Sequence, residues 1–325
     1  MKNKNIIIIS LIVVVLIGIG LFSGIFNNKD SLVTIRVTDP RAIGGALFHI
    51  ALEKGYFEKE GIMVEVVNVQ TGDEAIRALV SNSADVALGG ITPYSFLALN
   101  DQSVKIFTTN AYVNDNQVIA NKSKGITKVE DLRGKKIGYT KSTASDIGIS
   151  QFLTAHGLKE SDVQLVNMKP LTMAGALQAG QVDAYSSWEP HILNGQKLLG
   201  DNALVFSGDK DVYTWHQSLM AKDTYIESHR ADLVKFVRAL KNAEKFVSTN
   251  KDDSIALAAK HNSVPVDVLT KIWPRYDLSI SLRDDLYIIL KTNLEWANTQ
   301  REKPVANVPT PASLVDLSVL KDVKN

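Results

Sequence analysis

The residues able to do chemistry in this chain are gathered where short β-branched runs end, and no cluster has the spacing of a catalytic or metal motif. Residues 39–46 follow the run Thr34-Ile35-Arg36-Val37, and similar clusters stand at 70–73, 89–95, 140–146, 169–172 and 186–191. All are rich in glycine, serine and threonine. Where such runs are strands of an open sheet, their ends face a crevice into which helix N-termini direct unpaired N–H groups. Small and hydroxyl residues there suit hydrogen bonding to an anion rather than bond breaking. Plainer roles compete: Asp73, Ser145 and Asp146 are also placed as helix caps, and Gly89-Gly90 as relief of crowding at a strand end. Trp188 is expected as a wall of the crevice, because polar residues flank it, and Trp215 in Tyr213-Thr214-Trp215-His216 faces the same choice between wall and core.

Nucleophile and metal chemistry find little support. The histidines (His49, His156, His191, His216, His229, His261) are scattered without ligand spacing, and there is no cysteine. Dinucleotide, phosphate-loop and serine-elbow signatures are absent. No metal or other cofactor is expected, and an enzyme is the weaker hypothesis.

The elements that must position these clusters alternate between short runs and helical spacing, a pattern of strands and crossover helices in a mainly parallel sheet. Strands are expected at 33–37, 63–69, 86–88, 105–109 and 117–121, with helices at 44–54 and 73–81. A stripe of Leu233, Phe236, Val237, Leu240 and Phe246 predicts a core-facing helix over 231–247. Further helices are expected at 252–261, 266–273 and 282–299. The tail beyond Lys303, with Pro304, Pro309 and Pro311, is expected to be extended and peripheral.

The plan occurs twice. The stretch Ala75 to Ala87, ending in Asp85-Val86-Ala87, is echoed by Ala174 to Ala184, and Asp85 and Asp183 stand 98 positions apart, about the size of one small α/β lobe. The division expected is 31–116 for the first part of lobe one, 117–217 for lobe two, and 218–325 for the return to lobe one and the tail. Two crossings imply a hinge.

Bulk composition narrows the partners. With 36 basic and 35 acidic side chains the formal net charge is +1, so no large field favours nucleic acid. Lys2 and Lys4 precede an uncharged stretch from Ile6 to Phe26, long enough to cross a ~30 Å hydrocarbon core as a helix. Residues 1–30 are therefore expected to be a membrane anchor with a cytoplasmic N-terminus, a cleaved signal being the alternative. Either places the folded part outside the cytoplasm.

An ordered series of short motifs carries a resemblance over about residues 33–312. Gly55-Tyr56-Phe57-Glu58-Lys59-Glu60-Gly61, Asp85-Val86-Ala87, Asp131-Leu132 with Gly134-Lys135-Lys136-Ile137, Val182-Asp183-Ala184 and Trp188-Glu189-Pro190 follow one another. The chain resembles the extracytoplasmic binding proteins of ABC importers for nitrate, sulfonates and taurine, a branch that includes binders of thiamine-precursor pyrimidines. The resemblance implies an α/β chain with the type II periplasmic-binding-protein fold: two Rossmann-like lobes on a two-segment hinge, here preceded by the N-terminal membrane helix. It implies a monomer that captures a small molecule and hands it to permease and ATPase subunits. The cysteine-containing lipid box of many relatives is missing.

Contacts implied by the resemblance fall on Asp39 to Ala46, with Arg41 and Gly44 among them, on Gly90 with Thr92 to Ser95, on Ser142 to Asp146, and on Trp188 with Glu189; Gly72 opens the remaining lobe-one turn. Hydroxyls of Thr92, Ser95, Ser142, Thr143 and Ser145 suit an oxyanion without a buried lysine. Trp188, Tyr94 and Trp215 suit an apolar portion, while Asp39, Asp146 and Glu189 suit an amine or heteroaromatic N–H. Taurine or a small alkanesulfonate leads as ligand, with nitrate in the same class and an aminopyrimidine as alternative. A ligand-sensing module for a membrane signalling partner is the reading from another class.

Overall fold

The computed structural model describes residues 32–208 and 212–323. Its two echoing halves repeat one strand arrangement. In the first, β1 (Val33–Asp39) pairs with β2 (Ile62–Asn68) and reaches β3 (Ala87–Gly90) through a parallel bridge between Val37 and Val86. A long strand, β4 (Val104–Asn121), then leads out. In the second half, β5 (Lys136–Tyr139) pairs in parallel with both β6 (Gln164–Asn167) and β7 (Ala184–Ser187). The sequence echo has a physical cause. The Asp85 carboxylate accepts the N–H of Arg36 at 2.9 Å, and the Asp183 carboxylate accepts that of Lys136 at 2.9 Å. Each acid thus ties the start of the third strand of its half to the first strand, at its middle for Asp85 and at its start for Asp183.

The halves are joined by antiparallel strands, so the sheet is mixed rather than mainly parallel. β4 pairs first with β9 (Tyr213–Lys222) through Asn116, then with β7 and β8 (Ala203–Phe206) from Gln117 and Val118 onward. The two strands expected at 105–109 and 117–121 are therefore one, of 18 residues. Register shifts between Ile106 and Thr108, Thr109 and Ala111, and Asn114 and Asn116 carry the ladder through the polar residues that broke the sequence pattern. Near its middle, β4 also pairs with β10 (Tyr276–Asp277).

Helices follow their apolar spacing. Gly72–Val80 buries Ala75, Ile76 and Leu79. Arg230–Thr249 buries Leu233, Phe236, Val237 and Leu240, and Phe236 stacks on Phe57 with ring centroids 4.7 Å apart; each such side chain contributes about 1.5–3 kcal/mol through burial. Phe246 is only partly covered, with Lys54 over its ring at 4.4 Å. The tail differs from expectation. Leu314, Val319 and Leu320 are buried, Val315 bridges to Ile106, and Ser318–Val323 is helical. Prolines end the preceding helix pattern, yet the apolar residues beyond them find core surface and dock.

Residues 34–325 cluster as one compact unit. Among the described residues no helix is long and apolar enough to cross a membrane; the membrane helix expected within residues 1–30 lies outside the described residues. Asp85 also accepts from the Arg36 guanidinium at 2.6 and 3.0 Å, whereas Asp183 takes one backbone N–H on the strand start. Asp85→Ala is accordingly expected to lose about 1.5–3 kcal/mol and Asp183→Ala about 1 kcal/mol. Urea denaturation measures both, and a smaller loss at Asp85 than at Asp183 would contradict the shared role.

Candidate functional site

A narrow cavity with about 40 Å³ of free space lies where the two halves meet. Its floor is made of helix starts. Gly72 is the first residue of Gly72–Val80, whose cap Thr71 accepts the N–H of Glu74 at 3.2 Å. Gly90 caps Ile91–Ala98, and Thr143 caps Ala144–Ala155 by accepting the N–H of Ser145 at 3.2 Å. Pro40 and Ala42, in the turn after β1, complete this side. Three helix N-termini from both halves thus bring partial positive charge to one space.

The walls are two indoles, Trp188 after β7 and Trp215 in β9. Trp215 packs closely on Gly90: a Cβ there would lie 3.3 Å from two indole carbons, tight enough that the ring would have to give by a few tenths of an ångström. Beside Trp215 on the same face of β9 stands Gln217, 1% exposed, whose Nε2 has no hydrogen-bond partner. A buried amide donor left unpaired costs about 1–3 kcal/mol, so its position at the cavity marks it as a donor for a guest. Among the described residues no carboxylate, lysine or arginine lines this space.

The structure brings Gly72, Gly90, Thr143, Trp188 and Trp215 together at the cavity and distributes the other sequence candidates around it. The Thr92 hydroxyl donates to Asn293 Oδ1 at 2.7 Å, that of Ser95 to the Ile91 carbonyl at 2.9 Å, and that of Ser145 to the Ser186 carbonyl at 2.6 Å. The Tyr94 hydroxyl reaches the carbonyls of Val104 and Leu314 in the core. Gly44 is buried below the turn, its carbonyl accepting from Asn110. Ser142 donates its backbone N–H to Asp146 at 2.7 Å, and burial raises the Asp146 carboxyl to about 6. Arg41 lies outside the cavity, in a larger space lined also by Asn68 and His261.

Gln217 was not among the sequence candidates, although it lines the cavity, whereas Pro93 and Ala144 fall within the stretches 92–95 and 142–146 expected to contact a ligand. A signal for Gln217 existed: residues two apart on a strand share a face, so the flagged Trp215 pointed to it.

Asp39 has another partner set. Its two oxygens accept from His49 Nε2 at 3.1 Å and His261 Nε2 at 3.0 Å, and the two imidazoles stack with centroids 3.3 Å apart. Burial opposes the charge on Asp39, but the bonds from His261 and His49 outweigh it and hold the carboxyl well below its usual range. These three residues are the metal-ligating group found among the described residues. A metal on His49 Nε2 would require a proton on Nδ1, which is buried without a partner, whereas an Nε2–H tautomer leaves there only a lone pair. The donor set fits a clamp between β1 and the helices Ala46–Glu53 and Lys251–Asn262 better than a metal centre.

A second buried group holds the walls. Asp115 in β4 accepts from Trp215 Nε1 at 3.1 Å, from the Tyr276 hydroxyl at 2.8 Å and from the Glu189 N–H at 3.3 Å. Glu189 in turn accepts the N–H of Leu193 at 3.0 Å. Burial pushes the Glu189 carboxyl up to about 8, with Asp115 adding to the effect and Arg275 at 3.9 Å opposing it. Burial likewise raises Asp115 to about 6, against the bonds from Tyr276 and Trp215. An unfolded glutamate titrates near 4.5, so between that value and about 8 the folded chain holds a proton the unfolded chain releases. Stability must then fall as pH rises through this window. Asp39, with the opposite shift, contributes stability above its ordinary 3.8 that is lost in acid. Burial lowers His191 and His216 to about 4, which acts the opposite way below their ordinary 6.5, so the test is a difference: relative to wild type, Glu189→Gln is expected to lose less melting temperature between pH 5 and 8, and an unchanged pH profile in the variant would refute the assignment.

Comparison with known proteins agrees with this architecture. Residues 45–254 match the NMT1/THI5-like family. A Bacillus subtilis (strain 168) protein designated an aliphatic sulfonates-binding protein is 26% identical over 326 residues, covering 98% of this chain and 96% of its own length. The crystal structure of the periplasmic aliphatic sulphonate binding protein SsuA from Escherichia coli superposes with a TM-score of 0.71 at 20% identity, over 88% of this chain and 98% of that one. The desulfurization enzyme DSZB also superposes, with a TM-score of 0.65 at 18% identity over 90% and 99% of the two chains, so this fold serves binding and catalysis alike. The fold is that of the α/β periplasmic binding proteins, and with a family match over most of its length the chain belongs to the NMT1/THI5-like family.

Proposed function

We propose that this chain captures a small organic oxyanion of the aliphatic sulfonate class outside the cytoplasm and delivers it, unaltered, to an ABC permease. The observation that carries this reading is the lining of the inner cavity: three helix N-termini and the unpaired Gln217 amide, with two indoles and, among the described residues, no carboxylate. Helix N-termini contribute about 0.3–1 kcal/mol each toward an anion, up to ~2 kcal/mol when partly buried. They do so without a lysine whose desolvation would have to be offset. Trp188 and Trp215 give the carbon-bound side of the guest an apolar surface. The bacterial relative that shares nearly the full length is designated for aliphatic sulfonates, which favours the same class.

In this proposal the two halves are lobes of a type II binding protein, and ligand bound to one lobe draws the other over it through the β4 and β9 crossings. The monomer is held at the membrane by its N-terminal segment. The cavity lining offers no nucleophile paired with a base, which supports a binder over an enzyme. A thermal-shift screen of the full chain with ethanesulfonate, taurine, nitrate and an aminopyrimidine tests the ligand class. A ligand at ~100 times its dissociation constant stabilises by about 2.7 kcal/mol, and ethanesulfonate or taurine is expected to do so. Stabilisation by the pyrimidine alone would replace the sulfonate reading with the heteroaromatic one.

Two variants examine the site itself. Trp188→Ala is expected to weaken sulfonate binding about tenfold or more, about 1.4 kcal/mol, with cooperative unfolding retained. Gln217→Met removes the unpaired donor, so it should leave the ligand-free chain as stable or more stable while weakening binding. Calorimetric titration and unfolding curves check both, and undiminished affinity in Gln217→Met would remove that amide from the site.

A further inference from the structure

Outside the inner cavity, with Pro40 common to both linings, lies a larger space of about 510 Å³. Both halves line it: Arg41, Asn68, Gln70 and His261 on one side, His191 and Asn194 on the other. Among the described residues its lining contains no carboxylate. The acids nearest to it in the chain are already engaged, since Asp39 accepts from His49, His261 and the Arg41 N–H, and Glu74 accepts the N–H of Gln70 at 2.7 Å.

Arg41 is the charged group left over. Its backbone is left-handed, with φ of 51°, and is pinned there by the 2.8 Å bond from its N–H to Asp39. A non-glycine residue held in that region costs about 1 kcal/mol or more and persists where the surroundings fix it. The guanidinium makes one contact to a neutral acceptor, Nη2 to Asn68 Oδ1 at 3.3 Å, and enters no ion pair among the described residues. A planar cation with free donors, exposed at a concavity lined by both halves, is suited to bidentate capture of a carboxylate.

We infer that this outer space is a second subsite, in which Arg41 selects ligands whose tail carries an anionic, carboxylate-like group, so that the preferred guest is a sulfocarboxylate rather than an alkanesulfonate or an aminosulfonate. The inference rests on the oxyanion reading of the inner cavity. An ammonium tail such as that of taurine would meet Arg41 as a like charge, and an alkyl tail would leave the polar lining without partners.

Calorimetric titration of the full chain with sulfoacetate and sulfopropionate, against ethanesulfonate, propanesulfonate and taurine, separates the two levels. At least one sulfocarboxylate is expected to bind about tenfold or more tighter than its alkyl counterpart, with taurine the weakest, and high salt should shrink the gap because Arg41 is exposed. In Arg41→Gln the ratio of sulfocarboxylate to alkanesulfonate affinity is expected to fall to about one, with Arg41→Lys retaining part of it. Alkanesulfonates binding as well as sulfocarboxylates, or taurine binding tightest, overturns the outer subsite and leaves the sulfonate reading standing. Failure of every sulfonate to bind overturns both. The wild-type comparison decides even if the variants do not fold.

Discussion

The buried carboxylate of Asp115 is the constraint on which the meeting of the two halves depends. It sits in β4 just before that strand exchanges β9 for β7 and β8, and three donors from three separate stretches of chain converge on it: Trp215, Tyr276 and Glu189. A buried carboxyl is stable only while its donors are in place, and removing one leaves its partner uncompensated. The crossing strand, the return strand and the turn behind Trp188 are therefore fixed together. Glu189, raised beside it, is kept neutral near pH 7, which avoids placing two charges in one dry space.

Around this point the chain repeats itself, and the repetition supplies the charge pattern. Each half ends strands beside helix starts, so joining the halves brings several N-termini to one cavity without any cationic side chain. The acids of both halves are turned to other work. Asp85 and Asp183 tie strands, Asp146 accepts a backbone N–H, and Asp39 is covered by two imidazoles. What remains facing the space is amide N–H, glycine and indole.

Much of this was legible in sequence, and the parts that were not have physical reasons. Elements followed from periodicity, and the halves from the Asp85 and Asp183 echo, because each acid must sit where a first strand needs an acceptor. The continuity of β4 was hidden by Asn110, Asn114, Asp115 and Asn116, which look like a loop but lie in a bulged ladder where all but Asn114 are buried. The hydroxyls were harder still. A serine in the first turn of a helix can face a guest or close onto a nearby carbonyl, as Ser95 does on Ile91 and Ser145 on Ser186, and sequence does not separate the two. Gln217 was missed because a glutamine in a strand carries no motif, though its alternation with Trp215 placed it on the same face. The docking of Leu314, Val319 and Leu320 was masked by the prolines before them.

Gly90 and Asp115 act on Trp215 from opposite ends. Gly90 lies against the carbon edge of the indole, where an added methyl group would stand 3.3 Å away, while Asp115 holds the ring nitrogen at 3.1 Å. A side chain at Gly90 would press the ring by a few tenths of an ångström, and that shift works against the bond from its N–H to a buried carboxylate. The loss of that bond is the larger cost, because the acceptor left behind is charged or must take up a proton. The wall of the cavity is thus set by an absence on one side and an obligation on the other. The register of Gly90 against Gln217 then places the free amide directly across from the helix start it works with.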